Sequence, residues 1–502
     1  MFNKNDKVQL EIIDITDEGL GVAKFNCQVF FVKNALPYDK VSAVITKITK
    51  NIIYAKCINI IEKSKYRVNS KCDIANSCGG CQLINLDYKY QLEFKKKLVF
   101  DKLKKIGDIN IEKFYDEMIG MSSPCHYRNK MQVPFSFDKN KDIVFGFYVG
   151  RTHHIVPFNY CMVGFTGAEK ILNVIKDALN KFNIPIYDEN EKKGVFREVF
   201  LRSGNNSNEV SLVYIINDKD FKKNITLYKN FDECVRKSYL EIISNDDIKY
   251  MDTSNNSVFA KAKTEYCGNH HTGHLDKGLN REAHNIITTA LNINTSDNNV
   301  ILGNINYILY GDGYINDNIG DIKYHISIES FYQVNKVMTK KLYDKIVEYG
   351  EFNKTENVLD LYSGIGTISL YISKFVSSVT GIEIVKKAVD DAISNSKLNN
   401  INNAKFIYAD LSKSNNDLDI LKENYDTIIV DPPRKGLDEK TIDLIIKLSP
   451  KKLIYVSCNP ATLARDLKEI CINNYNIIKL SNVDMFPHTT HVECVVLLSK
   501  HS

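Results

Sequence analysis

The chain has 502 residues, 12 of them cysteine, and sets 66 lysines and arginines against 61 aspartates and glutamates for a net charge of +5. A single hydrophobic core stops growing at roughly 250–300 residues, so two or three domains are expected. No stretch approaches the run of about 20 apolar residues that crosses a bilayer. The start, Met1-Phe2-Asn3-Lys4-Asn5-Asp6-Lys7, lacks the pattern of a secretory signal, so a cytoplasmic protein away from membranes is expected. In that compartment clustered cysteines read first as metal ligands or catalysts.

Residues 1–62 carry short apolar-polar alternations, among them Val8-Gln9-Leu10-Glu11-Ile12-Ile13, Gln28-Val29-Phe30-Phe31-Val32 and Val41-Ser42-Ala43-Val44-Ile45, broken by turn signals such as Asp17-Glu18-Gly19. Short strands with tight turns predict a small β-barrel. Glu18-Gly19-Leu20-Gly21-Val22-Ala23, with Val29-Phe30-Phe31-Val32 and Ala35-Leu36-Pro37 after it, resembles the TRAM domain, an OB-like barrel that binds RNA.

Residues 63–322 form a second expected unit, mainly of strands. Cys72, Cys78 and Cys81 make a C-x₅-C-x₂-C cluster in which Gly79 and Gly80 permit a tight wrap, and Cys161 offers a fourth thiolate. By spacing alone the set suits zinc or an iron–sulfur cluster equally. A helix is expected at about 87–107, and it is crowded with Lys89, Lys95, Lys96, Lys97, Lys102, Lys104 and Lys105. Those lysines could face phosphates or simply solvent. From 122 to 322 the texture is strands and turns; Tyr127-Arg128-Asn129-Lys130 pairs charge with stacking surface, as RNA contacts do, although an ordinary strand edge explains it too.

Residues 323–502 alternate short apolar runs with helical stretches: Val358-Leu359-Asp360-Leu361-Tyr362, Ser378-Val379-Thr380-Gly381-Ile382, Lys405-Phe406-Ile407-Tyr408, Thr427-Ile428-Ile429-Val430 and Leu453-Ile454-Tyr455-Val456. This pattern predicts an α/β domain with a doubly wound, mainly parallel sheet of Rossmann-like type. The loop after its first strand, with Tyr362, Gly364 and Gly366, opens a helix and lets a ligand approach the backbone. Glu383 ends the second strand where a carboxylate can accept ribose hydroxyls, and Asp410 ends the third near the expected adenine. Ser369 stands where a nicotinamide-binding fingerprint wants its third glycine, so S-adenosylmethionine is the better cofactor.

Strand ends carry the rest of the chemistry. Asp431-Pro432-Pro433-Arg434 follows the fourth strand, and Ser457-Cys458-Asn459-Pro460 follows the fifth. Asn459 is a good helix cap and Pro460 suits the first helical position, so Cys458 sits at a helix N-terminus, where the dipole favours thiolate. A thiolate can add to carbon 6 of uracil and turn carbon 5 into a nucleophile toward a sulfonium methyl group. Glu493, at the head of an apolar strand, is the candidate base for the proton left on carbon 5. Asp-Pro-Pro also occurs in amino-group methyltransferases; here Arg434 follows where an aromatic is usual, and a capped cysteine lies one strand away.

Taken together, Phe331-Tyr332-Gln333-Val334-Asn335, the 360–367 loop, Asp431-Pro432-Pro433-Arg434, Ser457-Cys458-Asn459-Pro460 and Asp484-Met485-Phe486-Pro487-His488-Thr489-Thr490-His491-Val492-Glu493 resemble the RNA 5-methyluridine methyltransferase family. The resemblance spans nearly the whole chain. It implies Cys458 as nucleophile, Glu493 as proton acceptor, and Gln333, Tyr362, Glu383 and Asp431 around cofactor and uracil. Gln333 alone carries no signal. The cysteine set resembles the ribosomal-RNA branch, which implies a [4Fe–4S] cluster on Cys72, Cys78, Cys81 and Cys161, 23S ribosomal RNA as substrate, and a monomeric enzyme. Members acting on transfer RNA are expected to lack both the cluster and the barrel. The rivals are a transfer-RNA uridine methyltransferase, an amino-group methyltransferase and a non-catalytic iron–sulfur RNA-binding protein.

Overall fold

A computed structural model describes residues 2–150, 152, 154–204, 207–252, 285–297, 300–411, 413 and 423–501. Its first unit is a six-stranded sheet of β1 (Lys7–Glu11), β2 (Asp14–Ile15), β3 (Gly21–Phe25), β4 (Gln28–Lys33), β5 (Lys40–Ile48) and β6 (Ile52–Glu62), in the order β1-β5-β6-β4-β3-β2. The period of two decides what faces in: Val8, Leu10, Phe30, Val32, Val41, Ala43 and Ile45 form one core. The sheet curls on itself because the chain runs from β1 into β2, with Ile13 N–H donating to Val22 O at 2.8 Å. The crowding this demands appears at Gly21, where a Cβ would lie 2.8 Å from Ala35 O.

Helix α1 (Tyr88–Lys102) follows, capped by Asp87, whose side chain accepts from Tyr90 N–H at 3.3 Å. One face packs under the C-terminal sheet, with Val99 in that sheet's core. Lys95 is not on the open face: it is fully buried and paired with Asp484 at 2.5 Å. Strand β7 (Tyr115–Ile119) then joins the C-terminal sheet as its edge.

The middle region builds a seven-stranded sheet from β8 (Lys130–Phe137), β9 (Ile143–Tyr148), β10 (Ile155–Pro157), β11 (Phe196–Ser203), β12 (Glu209–Ile216), β13 (Asn285–Ile293) and β14 (Ile305–Tyr310), in the order β10-β9-β8-β11-β12-β13-β14. It also contains α2 (Ala168–Lys181) and α3 (Ile225–Asp252), two helices where strands and turns were expected; part of that expectation, residues 253–284, lies outside the described residues. The apolar stripe of α2, Ile171, Leu172, Val174, Ile175, Ala178 and Leu179, has helical spacing and is buried against the sheet, each large side chain contributing about 1.5–3 kcal/mol. A hairpin of β15 (Tyr314–Ile319) and β16 (Ile322–Ser327) leads into the C-terminal unit. Tyr127 and Asn129 are buried at 3% and 1% exposure while Arg128 and Lys130 are half-buried, so within the Tyr127–Lys130 run the ring and the amide serve internal packing.

The C-terminal unit comprises α4 (Lys336–Gly350), β17 (Asn357–Leu361), α5 (Thr367–Ile372), β18 (Ser378–Glu383), α6 (Lys386–Leu398), β19 (Ala404–Tyr408), β20 (Thr427–Val430), α7 (Glu439–Leu448), β21 (Lys452–Ser457), α8 (Pro460–Ile472), β22 (Tyr475–Val483) and β23 (Glu493–Lys500). Its sheet runs β19-β18-β17-β20-β21-β23-β22-β7, parallel from β19 to β21 and antiparallel through β23. The central parallel strands β17, β20 and β21 are buried on both faces, as their unbroken apolar runs require, whereas the edge strand β19 is not. This is an α/β methyltransferase architecture, and its strand order reverses between β18-β17 and β20, the place where such sheets bind ligands.

Candidate active site

The loop after β17 is shaped by three left-handed residues, Tyr362 (φ 68°), Gly364 (φ 55°) and Gly366 (φ 79°). A non-glycine residue held in that region stores strain of the kind found at ligand clamps. A Cβ on Gly364 would meet nothing within 4 Å, whereas one on Gly366 would lie 2.7 Å from Phe406. Open space thus lies over Gly364, and Gly366 is needed for packing. Glu383 holds the loop, accepting from Gly364 N–H at 3.0 Å and from Val385 N–H at 2.8 Å. Ser369, in the place of a third glycine, donates to Asp360 at 2.5 Å. Asp410 follows β19 and faces Lys413 at 3.5 Å. The Tyr362 hydroxyl is 3.1 Å from that of Thr441, and Gln333 is buried at 9% exposure with its backbone carbonyl accepting from the Asn129 amide at 3.0 Å.

These surroundings fit an adenosyl cofactor. Asp360 Oδ1 and Ser363 Oγ are buried without a hydrogen-bond partner, one acceptor and one donor beside the open glycine. Burial pushes the Asp360 carboxyl up to about 7, an effect that nearby Asp431 increases. Asp360 was read in the sequence only as part of the loop; a carboxylate inside an apolar strand was the available signal.

Backbone register assembles the reaction centre. Ser457 pairs with Cys494 on β23, so the next residue of one strand and the preceding residue of the other, Cys458 and Glu493, meet at one end of the sheet. Asp431 leaves the neighbouring β20 at the same end. Asn459 caps α8 by accepting from Ala461 N–H at 3.0 Å, and its amide donates to Arg434 O at 3.0 Å, tying the Asp431–Arg434 turn to the cysteine. Burial, reinforced by Asp431 and opposed by Arg434, raises the Glu493 carboxyl to about 8. Burial alone raises Asp431 to about 7.

The thiol departs from expectation. Its position at the start of α8 is as anticipated, yet burial, then Glu493, then Asp431 push the Cys458 thiol up to about 12, with Arg434 opposing. Desolvation and two neighbouring acids outweigh the helix terminus. Arg434, read from the sequence only as a departure from another motif, is the charged side chain that eases both Cys458 and Glu493.

The four cysteines expected to hold a metal or cluster lie elsewhere. Cys72, Cys78, Cys81 and Cys161 line one apolar cavity with Ile74, Phe147 and Met162. Burial raises all four thiols, and each also feels at least one of the others. Arg128, whose Nε is buried without a hydrogen-bond partner, offsets this at Cys78 and Cys81. Gly80 N–H donates to Cys78 Sγ at 3.3 Å. Among the described residues no three His, Cys, Asp or Glu side chains come close enough together to hold a single metal ion. Among the described residues, likewise, no helix is long and apolar enough to cross a membrane.

Residues 281–501 match a family model described as tRNA (uracil-5-)-methyltransferase. An uncharacterized RNA methyltransferase of Bacillus cereus (strain ATCC 10987) is 36% identical over 503 residues, covering 99% of this chain and 97% of its own. Another from Clostridium tetani (strain Massachusetts / E88) is 34% identical over 496 residues with the same coverage. The crystal structure of Pyrococcus abyssi tRNA (uracil-54, C5)-methyltransferase in complex with S-adenosyl-L-homocysteine superposes with a TM-score of 0.69 at 25% identity, over 98% of this chain and 100% of its own. A transfer-RNA enzyme therefore matches this chain end to end, against the expectation that such enzymes lack the N-terminal parts. With relatives similar along nearly its whole length, the chain belongs to the S-adenosylmethionine-dependent RNA (uracil-C5) methyltransferase family.

Proposed function

We propose that this enzyme methylates carbon 5 of a uridine in 23S ribosomal RNA, with Cys458 as nucleophile and Glu493 as base. The observation that carries the reading is the strand register that sets Cys458 beside Glu493, with Asp431 and Arg434 at the same sheet end. S-adenosylmethionine supplies the methyl group as an electrophilic sulfonium. Cys458 gives its thiol proton to solvent and its sulfur bonds to carbon 6 of the uracil, moving the ring electrons onto carbon 5 and the carbonyl at carbon 4. Carbon 5 takes the methyl group as the methyl–sulfur bond of the sulfonium breaks, leaving S-adenosylhomocysteine. Glu493 then accepts the carbon 5 proton, the ring double bond re-forms, and the carbon–sulfur bond breaks to return the thiolate. Raising the Glu493 carboxyl to about 8 strengthens it as a base once ionised, and the ionised fraction that accepts the proton grows as pH rises toward that value. Glu383 and the Gly364 backbone are assigned to the cofactor's ribose, Asp410 to its adenine side, and Gln333, Tyr362 and Asp431 to the pocket shared by cofactor and uracil. The target base must leave its stack to reach Cys458, which loops permit at low cost.

The six-stranded N-terminal unit, residues 1–62, is assigned as a TRAM-type RNA-binding barrel, residues 63–322 as the cysteine-bearing middle and 323–502 as the catalytic domain. The four cysteines are assigned to a [4Fe–4S] cluster. Thiols spread around an apolar cavity, with a buried guanidinium and a backbone N–H aimed at sulfur, suit a larger anionic body. Iron and sulfide analysis of protein purified without oxygen should return about four of each per chain; stoichiometric zinc would refute this assignment.

Ribosomal RNA is preferred because the complete cysteine set resembles that branch. A transfer-RNA substrate is the second reading, favoured by the end-to-end likeness to the Pyrococcus enzyme. The test incubates the enzyme and S-adenosylmethionine with unmodified 23S fragments and, separately, with unmodified transfer RNA, and analyses the nucleosides. 5-Methyluridine in the ribosomal fragments supports the proposal; 5-methyluridine in transfer RNA alone transfers it to the second reading, and a methylated amino group refutes both.

A further inference from the structure

Glu493 is the first residue of β23, and its partner across the ladder is Val483, the last of β22. Residues 484–492 therefore leave and return at a single rung, and the path of this loop sets where the Glu493 carboxylate points. Residues 484–490 are buried except for the half-buried Phe486, so their polar groups must find partners inside the protein. Asn335 donates to Met485 O at 3.0 Å and Thr489 to Phe486 O at 2.8 Å, and the other partners named here come from the N-terminal third of the chain. Asp484 accepts from Lys95 at 2.5 Å and from the Tyr88 hydroxyl at 2.8 Å, and Lys95 also reaches Phe486 O at 2.9 Å. The Tyr127 hydroxyl donates to Pro487 O at 2.9 Å.

His488 is the knot. Its backbone is left-handed at φ 65°, which is strained for a histidine. Its N–H donates to Gln91 Oε1 at 2.9 Å, and its carbonyl accepts from Leu83 N–H at 2.9 Å. Its Nδ1 lies 3.2 Å from Gln91 Nε2, and its Nε2 lies 2.9 Å from Pro124 O, which assigns the neutral ring protonated on Nε2. The Gln91 amide completes the tie on Leu83 O at 3.1 Å and Leu86 O at 2.8 Å.

We infer that Gln91 and Lys95 of α1 are positioning residues for Glu493, acting through His488 and Asp484 on proton removal and not on formation of the cysteine adduct. The inference rests on Glu493 being the base. Cys458 has a separate tether, since the Asn459 cap of α8 is joined to Arg434 O. A misplacement of about 1 Å in a reacting group costs on the order of 100-fold, so the two steps should separate.

The experiment compares the unaltered enzyme with Gln91→Leu and the milder Tyr127→Phe on transcripts containing uridine or 5-fluorouridine. Fluorine on carbon 5 cannot leave as a proton, so its adduct reports the steps before Glu493 acts. For Gln91→Leu, trapping on fluorinated RNA should stay within about twofold while turnover on uridine falls at least about tenfold, and a protein–RNA adduct should accumulate on ordinary uridine. Tyr127→Phe should show the same split at smaller size, which keeps the test decisive if Gln91→Leu melts or no longer binds S-adenosylmethionine. Equal falls in trapping and turnover, or no fall in either, overturn the inference. An unaltered enzyme that never traps fluorinated RNA overturns the proposed function instead.

Discussion

Two regions meet at Glu493 and hold it by different physics. On the β21 side, Cys458 and Glu493 are delivered by a backbone ladder in which Ser457 pairs with Cys494, and a ladder keeps its register when one side chain changes. On the loop side, Glu493 is approached through buried polar side chains such as the Gln91–His488 tie, whose partners are 397 residues apart in sequence. Each such contact is costly to lose, because its removal strands a donor or acceptor away from water. A catalytic group can therefore be robust in register and fragile in aim.

The largest expected effect falls on the group both regions hold. Glu493→Gln should cut turnover by about 100-fold or more while the cysteine adduct still forms on uridine, and a denaturing gel of enzyme with RNA should show it; a variant with full turnover would remove Glu493 from the mechanism. Next comes a contrast on one helix. Lys95→Met leaves Asp484 as a buried unpaired charge and should cost about 3–5 kcal/mol, whereas Lys97, half exposed and paired with Asp14 at 2.6 Å, should cost at most about 0.5 kcal/mol when changed to Ala. Denaturant titration of both variants checks this, and equal costs would erase the distinction between buried tie and surface pair.

A smaller effect concerns pH. The Glu493 carboxyl titrates at about 8 in the folded enzyme and at its ordinary 4.5 when unfolded. The folded state thus holds the extra proton between those values, and stability from this group falls as pH rises through that window. Glu493→Gln should then melt higher than the unaltered enzyme at pH 8.5, by a few degrees, and with little difference at pH 5. A difference that shrinks as pH rises would contradict the burial argument.

The C-terminal site was legible because its signals are local: an apolar run, then Gly364 and Gly366, or Cys458 followed by Asn459 and Pro460, each encode strand, turn and helix start within ten residues. The N-terminal frame was not. Lys95 sits in a run of lysines with nothing local to distinguish the one that is buried, and the helical stripe of α2 stands between strands in a region whose texture is otherwise β. Electrostatics misled as well. The helix start around Cys458 suggested an acidic thiol, but only the assembled pocket places Glu493 and Asp431 beside it and reverses the shift.

The central claim is that Cys458 becomes covalently bound to uracil. Enzyme, S-adenosylmethionine and 5-fluorouridine RNA should yield a denaturant-resistant complex whose nucleotide-bearing peptide contains Cys458, and Cys458→Ala should yield none. An adduct mapped to another cysteine, or 5-methyluridine formed at the unaltered rate by Cys458→Ala, would contradict the account.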